Sequence, residues 1–162
     1  MKAERKVLDR YLQDSRRKRS RKRDVVLEYF LRSSSHISAE DLYDLVHREH
    51  PEIGRSTVYR ALKLFCDSGV ARQVDLKDGR MRYEHHLRRP HHDHMVCTRC
   101  GQTFEFICQE IESLQERAAA SIAFAPESHS LQIYGVCKDC RRGEARPHVE
   151  APRTSRRPIE VK

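Results

Sequence analysis

The sequence contains no apolar run that approaches the 18 residues of a membrane span, so we expect no transmembrane segment. Its first residues, 1–23, are rich in charge and lack the apolar stretch of a secretory signal, so we expect a cytoplasmic protein. Hydrophobic residues are scarce as well, at 38% against 35% charged residues. A chain of 162 residues with this composition can fill two small cores but not one large core.

Six cysteines are present without a secretory signal, and in a reducing compartment paired cysteines bind metal more often than they form disulfides. They include two Cys-x-x-Cys pairs, at 97–100 and 137–140, with 36 residues between them. Two such pairs supply the closed tetrahedral sulfur site that structural zinc prefers, whereas redox cysteines or chance pairs are the alternative. Cys66 and Cys108 are expected to be buried small residues. The predicted zinc ligands are Cys97, Cys100, Cys137 and Cys140.

Charge is distributed unevenly along the chain. Residues 1–82 hold 20 Lys and Arg against 13 Asp and Glu, a net charge of +7, whereas residues 83–140 hold five against eight, a net charge of −3. A basic first half is typical of a protein with a polyanionic partner, and the histidine-rich second half suits cations. The alternative is a protein whose charged runs are simply solvated.

Two helices joined by a short turn are predicted in the basic half. Ser38 opens the first of them, with Asp41 three residues on, which is a variant of the capping box. The second, over 56–69, has its apolar residues at helical spacing and leaves Tyr59 and Arg60 off the apolar stripe. Arg55 and Thr57 lie near its start. This is helix-turn-helix anatomy, and the second helix carries side chains suited to a major groove.

The segments on either side complete a winged helix. Residues 70–76 and 80–85 alternate between apolar and polar, and Asp78-Gly79 between them favours a hairpin. The basic run "RRKRSRKR" over 16–23 precedes a helix that Asp24 can cap. Each piece occurs in many folds, but together and with this charge they predict a DNA-binding protein.

Three histidines and an aspartate stand directly before the first cysteine pair, in "HHDHMVC". This stretch alternates as a strand, so His92 and His94 project to one face and His91 and Asp93 to the other. The stretch can therefore serve two nitrogen and oxygen sites besides the sulfur site. Further donors lie downstream, at Glu105 on a predicted strand, Glu112 on an amphipathic helix and His129 at the start of a third predicted strand.

Several of these stretches, in this order and spacing, resemble the ferric uptake regulator family of bacterial metal-responsive repressors. They are "HISAEDLYDLV", "EIGRSTVYRAL", "DGRMRYEH", "HHDHMVCTRCG", "FEF" and "HSLQIYGVCKDC", within about residues 16 to 140. The resemblance implies an α+β fold, with a winged helix-turn-helix domain and basic N-terminal arm over 1–85 and a small α/β dimerisation domain over 86–140. Residues 141–162 contain three prolines and no apolar period, which predicts a disordered basic tail.

The resemblance also implies a role for particular residues. It assigns base reading to Tyr59, beside Arg60, and a minor-groove contact to Lys18. It implies a homodimeric repressor, not an enzyme, that binds AT-rich inverted repeats in double-stranded DNA. It assigns a regulatory metal site to His36, Glu84, His92, His94 and Glu105, and a second site to His91, Asp93, Glu112 and His129.

The regulatory set of histidine and glutamate is most similar to the iron branch of the family. We therefore expect Fe(II), with Mn(II) or Co(II) as substitutes, besides the structural Zn(II). The alternatives are a zinc-, manganese- or peroxide-responsive member, or a metal buffer that binds nucleic acid without sequence preference. A zinc hydrolase such as a nucleobase deaminase is a remote rival, since Val96 stands where such enzymes have proline and four thiolates would close the site.

Overall fold

The structure is a computed structural model, and it describes residues 2–33, 36–76, 79–87, 91–144 and 159–161. It divides into two compact units, residues 1–89 and 90–162. Among the described residues, no helix has both the length and the apolar character that crossing a membrane requires.

The N-terminal unit contains four helices and three short strands. In chain order they are α1 (Lys2–Asp14), α2 (Arg21–Arg32), β1 (Ile37–Ser38), α3 (Ala39–Glu49), α4 (Arg55–Asp67), β2 (Ala71–Asp75) and β3 (Met81–His85). The predicted helix-turn-helix is confirmed, because α3 and α4 are separated only by residues 50–54. The capping box is confirmed too, since the Ser38 hydroxyl accepts the Asp41 backbone N–H at 3.1 Å.

An apolar core joins the helices of this unit. The predicted stripe of α4 is buried, at Val58, Ala61, Leu62 and Phe65. The Phe65 ring stacks on Phe30 of α2, with ring centroids 5.9 Å apart. The stripe thus places the opposite face of α4 toward solvent.

The first two helices differ from the sequence prediction. Helix α1 was not predicted, because its sequence is mostly charged. Its buried face includes two apolar residues four positions apart, Leu8 and Leu12. Helix α2 begins at Arg21 with Ser20 as its N-cap residue, so Asp24 lies in the first turn and is not the cap. An acidic residue there still interacts favourably with the positive end of the helix dipole.

The wing is a three-stranded antiparallel sheet in the order β1-β3-β2. Residues Lys77 and Asp78 of the predicted turn lie outside the described residues, and Gly79 adopts a left-handed φ of 81°. Each residue of β2 faces one of β3, from Ala71 opposite His85 to Asp75 opposite Met81.

The C-terminal unit is built on a four-stranded mixed sheet. Its elements are β4 (Asp93–Cys97), β5 (Thr103–Cys108), α5 (Gln109–Ser121), β6 (Gln132–Gly135), α6 (Lys138–Arg142) and β7 (Ile159–Val161). The strand order is β6-β4-β5-β7, with β4 antiparallel to β5 and with β6 and β7 parallel to their neighbours.

The predicted disordered tail needs correction at both of its described ends. Helix α6 continues to Arg142, and Ile159–Val161 pairs with β5 as a strand. Isoleucine and valine are β-branched and favour strands, which the compositional prediction did not weigh. Residues 145–158 of the predicted tail lie outside the described residues.

Candidate metal centres and nucleic-acid interface

The four cysteines of the two Cys-x-x-Cys pairs come together. Cys97 ends β4 and Cys137 is the N-cap residue of α6. The Sγ atoms of Cys97 and Cys140 are 3.6 Å apart, and those of Cys100 and Cys137 are 3.7 Å apart. Sulfur atoms in a tetrahedral zinc site with bonds of about 2.3 Å are separated by about 3.8 Å. The quartet therefore has the spacing, and the free thiols, that a structural zinc requires.

Backbone N–H groups are directed at these sulfurs. The N–H of Cys137 donates to Cys97 Sγ at 3.3 Å, and that of Cys140 donates to Cys137 Sγ at 3.4 Å. Burial by itself would raise the pKa of the Cys97 thiol, but hydrogen bonds from backbone N–H groups outweigh burial and lower this pKa to about 6. At Cys140 burial is the largest effect, and the pKa is raised. The backbone N–H groups thus favour the thiolate, which is the metal-binding form, at Cys97.

A second cluster collects four nitrogen and oxygen donors within the C-terminal unit. His91 Nε2 lies 3.3 Å from Asp93 Oδ1 and 3.4 Å from Glu112 Oε1. His129 Nε2 lies 3.3 Å from the other Glu112 oxygen. Neither oxygen of the buried Asp93 carboxylate accepts a hydrogen bond from the described residues, so both are available to a cation. The donor set fits a divalent ion.

Three donors of the predicted regulatory set belong to the C-terminal unit. His92 directly precedes β4, His94 lies on β4, and Glu105 lies on the neighbouring strand β5. His94 stands directly opposite Glu105 in the strand register, and the rings of His92 and His94 are 5.1 Å apart between centroids. All three side chains are buried, and their donor atoms lie within 4.8 Å of one another. The strand thus places His92 and His94 in one cluster, and His91 and Asp93 in the other.

The remaining two predicted donors, His36 and Glu84, belong to the N-terminal unit. His36 precedes β1 and Glu84 lies on β3, and His36 Nε2 is 3.1 Å from Glu84 Oε2. Both side chains are fully buried. The second Glu84 oxygen accepts a hydrogen bond from Arg72 Nε, a contact that the sequence motifs do not reveal. A two-residue turn at Asp78-Gly79 would have placed Arg72 opposite His85, one residue from the observed register, so the predicted hairpin did not reveal this contact.

The solvent face of α4 carries the predicted DNA-reading residues. Tyr59 is 44% exposed, and its hydroxyl donates to the Glu40 carboxylate of α3. This hydrogen bond raises the pKa of Tyr59 and lowers the pKa of Glu40. Arg60 is exposed and donates from Nε to the Ser56 carbonyl at 3.0 Å.

The other predicted DNA contacts occupy the edges of this surface. Arg55 is exposed, and its guanidinium carbon lies 4.6 Å from the ring centroid of Tyr43. Thr57 is half-buried in the first turn of α4. Lys18 is exposed between α1 and α2, on a segment separate from α4. Glu40 was not predicted, and only the contact with Tyr59 distinguishes it from other surface carboxylates.

The chain combines a winged helix, whose α4 has an exposed basic face, with a cysteine quartet and clusters of imidazoles and carboxylates. This combination is that of a metal-responsive DNA-binding regulator. The family model for the Ferric uptake regulator family matches residues 14–134, and the chain belongs to this family. It is therefore a metal-dependent transcriptional repressor and not an enzyme.

Individual relatives agree with this assignment. The chain is 39% identical to the ferric uptake regulation protein of Bordetella parapertussis over 119 residues, which are 73% of this chain and 85% of the relative. The structure resembles the Helicobacter pylori ferric uptake regulator, described as having three functional metal binding sites, with a TM-score of 0.76 and 26% identity over 88% of this chain and 96% of that one. It also resembles the Francisella tularensis regulator solved with iron, with a TM-score of 0.68 and 31% identity over 76% and 94% of the two chains. The α+β fold prediction is confirmed.

Proposed function

We propose that this protein is a cytoplasmic, homodimeric, Fe(II)-responsive repressor that controls iron uptake and homeostasis genes through AT-rich inverted repeats. The observation that carries the proposal is the chemistry of the buried donors His92, His94 and Glu105, which include imidazole and carboxylate but no thiolate. Such donors suit Fe(II), Mn(II) or Co(II), whereas thiolates select zinc. The names of the relatives, and iron in the Francisella tularensis structure, support iron among these metals.

The regulatory ion is proposed to be bound by donors of both units, His36 and Glu84 from one and His92, His94 and Glu105 from the other. A bound ion would supply charge neutralisation and fix the angle between the units. In a dimer this angle sets the separation of the two α4 helices, which must match half-sites about one helical turn apart. Without the ion many angles are sampled, and operator affinity falls with the competent fraction.

The other two clusters have supporting roles in this proposal. The cysteine quartet binds a structural zinc that supplies part of the folding free energy of the C-terminal unit. The cluster of His91, Asp93, Glu112 and His129 lies wholly within the same unit. An ion there stiffens the unit but cannot by itself set the angle between units.

Exposed apolar residues of the C-terminal unit support the homodimer. Leu114 on α5 is 56% exposed, and Ile122 and Phe124 directly after α5 are 76% and 62% exposed. Strand β6 lies at an edge of the sheet with Ile133 and Tyr134 exposed. Exposed apolar side chains and a strand edge are features of an association surface, and in this proposal a second copy of the chain covers them.

DNA binding is proposed to divide into base reading and phosphate contact. The Tyr59 ring would contact thymine methyl groups in the major groove, beside Arg55, Thr57 and Arg60. Lys18, in its basic surroundings, would contact the phosphate backbone or the minor groove. Contacts of the second kind set the salt dependence of affinity without carrying base-pair specificity.

The decisive experiment is an anaerobic titration of zinc-loaded protein with Fe(II) and Mn(II), with and without an AT-rich inverted repeat. Operator binding and metal binding are reciprocal, so the operator should tighten Fe(II) binding by roughly 30- to 150-fold, a typical coupling. A duplex of the same composition in scrambled order is the control. Equal metal affinity with either duplex, or repression in cells that follows zinc or manganese and ignores iron, would contradict the proposal.

A further inference from the structure

We propose that Arg72 is a positioning residue for the regulatory metal, because its guanidinium holds one oxygen of Glu84 and leaves the other oxygen of that side chain to bind the ion. Glu84 would thus be a monodentate ligand. The inference rests on the proposed function, since it takes His36 and Glu84 as donors to that metal.

The wing builds this contact through strand register. Arg72 of β2 and Glu84 of β3 stand directly opposite each other in the antiparallel pairing. Arg72 Nε donates to Glu84 Oε1, whereas Glu84 Oε2 lies 3.1 Å from His36 Nε2. The two oxygens of the Glu84 carboxylate therefore face different groups. One faces the permanently charged guanidinium of Arg72, and the other faces the imidazole of His36, a proposed metal ligand.

Because the Glu84 side chain is buried, its pairing with Arg72 matters for its charge and its orientation. The Glu84 side chain is fully buried, whereas the side chain of Arg72 is 31% exposed. A buried carboxylate is strongly unfavourable unless it is paired, and arginine supplies a charge that stays positive at any physiological pH. Arg72 thus stabilises the Glu84 carboxylate and holds it in one orientation before any metal arrives.

The same contact limits how the metal can be bound. A carboxylate can ligate through one oxygen or both, and the Arg72 hydrogen bond occupies one lone-pair direction of Oε1 and so disfavours that oxygen as a ligand. Groups that hydrogen-bond a ligating side chain fix its orientation, and their loss typically costs about 10- to 100-fold in metal affinity. Removing Arg72 should therefore weaken binding and free Glu84 to take both oxygens to the ion.

The test uses Co(II), whose visible absorption reports coordination number, titrated into zinc-loaded full-length protein. The band that disappears in His94→Ala is assigned to the regulatory site. In Arg72→Gln we expect Co(II) affinity for this site to fall about 10- to 100-fold and the band to weaken, because a higher coordination number weakens the absorption of Co(II). Arg72→Lys keeps the charge without the planar fork, so it should lie between the two.

Arg48→Gln, which removes one exposed positive charge from the same unit, is the matched control and should bind as the parent does. Zinc content and a thermal unfolding curve check that each variant is folded. Parental affinity and an unchanged spectrum in either folded Arg72 variant would overturn the inference. If the parent itself shows no His94-dependent Co(II) band, the proposed function fails instead.

Discussion

The two units of this chain are stabilised by different kinds of interior. The N-terminal unit encloses a continuous apolar cluster that draws on α1 to α4, including Phe30, Leu42 and Phe65. Among the described residues of the C-terminal unit the buried apolar side chains are few, chiefly Val96 and Phe106 beside cysteines, while His, Asp, Glu and Thr side chains are buried with them. Hydrophobic burial can therefore fold the first unit, whereas we expect the second to need a bound metal and the proposed self-association.

Removal of the sulfur site should produce the largest difference between the units. In Cys97→Ser we expect loss of zinc, unfolding of the C-terminal unit and loss of the dimer, while the N-terminal unit keeps its own thermal transition. Metal analysis, circular dichroism melting and sedimentation would measure these three outcomes.

Cys66→Ser is the matched control for this change. Burial raises the pKa of the Cys66 thiol to about 11, so it is not a thiolate at neutral pH, and the variant should keep its zinc. A folded, dimeric and zinc-free Cys97→Ser protein would show that the C-terminal unit does not need the metal.

The converse change removes the centre of the apolar core. Phe30→Ala should destabilise the N-terminal unit by about 3–5 kcal/mol, as for other large-to-small changes of buried aromatic residues, and should leave zinc content unchanged. Denaturant unfolding followed by circular dichroism would measure the loss. Leu45→Ala is the control, because Leu45 is 38% exposed and its loss should cost well under about 1 kcal/mol. Equal losses in the two variants would contradict the importance of the buried cluster.

The two nitrogen and oxygen clusters of the C-terminal unit should differ in their effect on regulation. His94→Ala should abolish metal-dependent operator binding, a loss of roughly 30- to 150-fold, because it removes a donor proposed to join the units. His129→Ala should weaken binding only partly, since its cluster lies within one unit. Fluorescence anisotropy with labelled operator, with and without Mn(II), would compare them, and zinc should stay bound in both. Equal losses would remove the distinction between the clusters.

Base reading should show the smallest effect. Tyr59→Ala is expected to weaken operator binding by about 1–3 kcal/mol and to spare metal content and dimerisation. Tyr59→Phe removes the hydroxyl that donates to Glu40 but keeps the ring, so it should bind nearly as the parent does. A footprint at unchanged protein concentration in Tyr59→Ala would show that α4 reads DNA through other side chains.

The sequence was most informative where a local pattern determines the structure. The apolar stripe of α4, the Ser38 cap of α3 and the two cysteine pairs depend on spacings of a few residues, and the structure contains all of them. Contacts between distant residues were missed. The contact between Arg72 and Glu84 depends on the register of β2 and β3. The hydrogen bond between Tyr59 and Glu40 depends on how α4 packs against α3.

Two elements were missed for a different reason. Helix α1 buries one face through a few apolar residues within a strongly charged stretch, so composition concealed its amphipathic pattern. Strand β7 has only three residues and forms against β5, which precedes it by more than 50 positions. No local spacing could have predicted that partner.

The short ladder between β1 and β3 has a mechanical consequence. His36 and Glu84 flank its paired residues, Ile37 with Tyr83 and Ser38 with Arg82. Residues close to both are tied into the helices. Ser38, two positions after His36, caps α3, and His85, directly after Glu84, has its Nε2 2.7 Å from the Phe30 carbonyl of α2. If His36 and Glu84 bind the metal as proposed, a displacement of either would therefore turn the winged helix as one body. The proposed DNA-reading surface of α4 would move with it, without a relay of conformational changes through the helices.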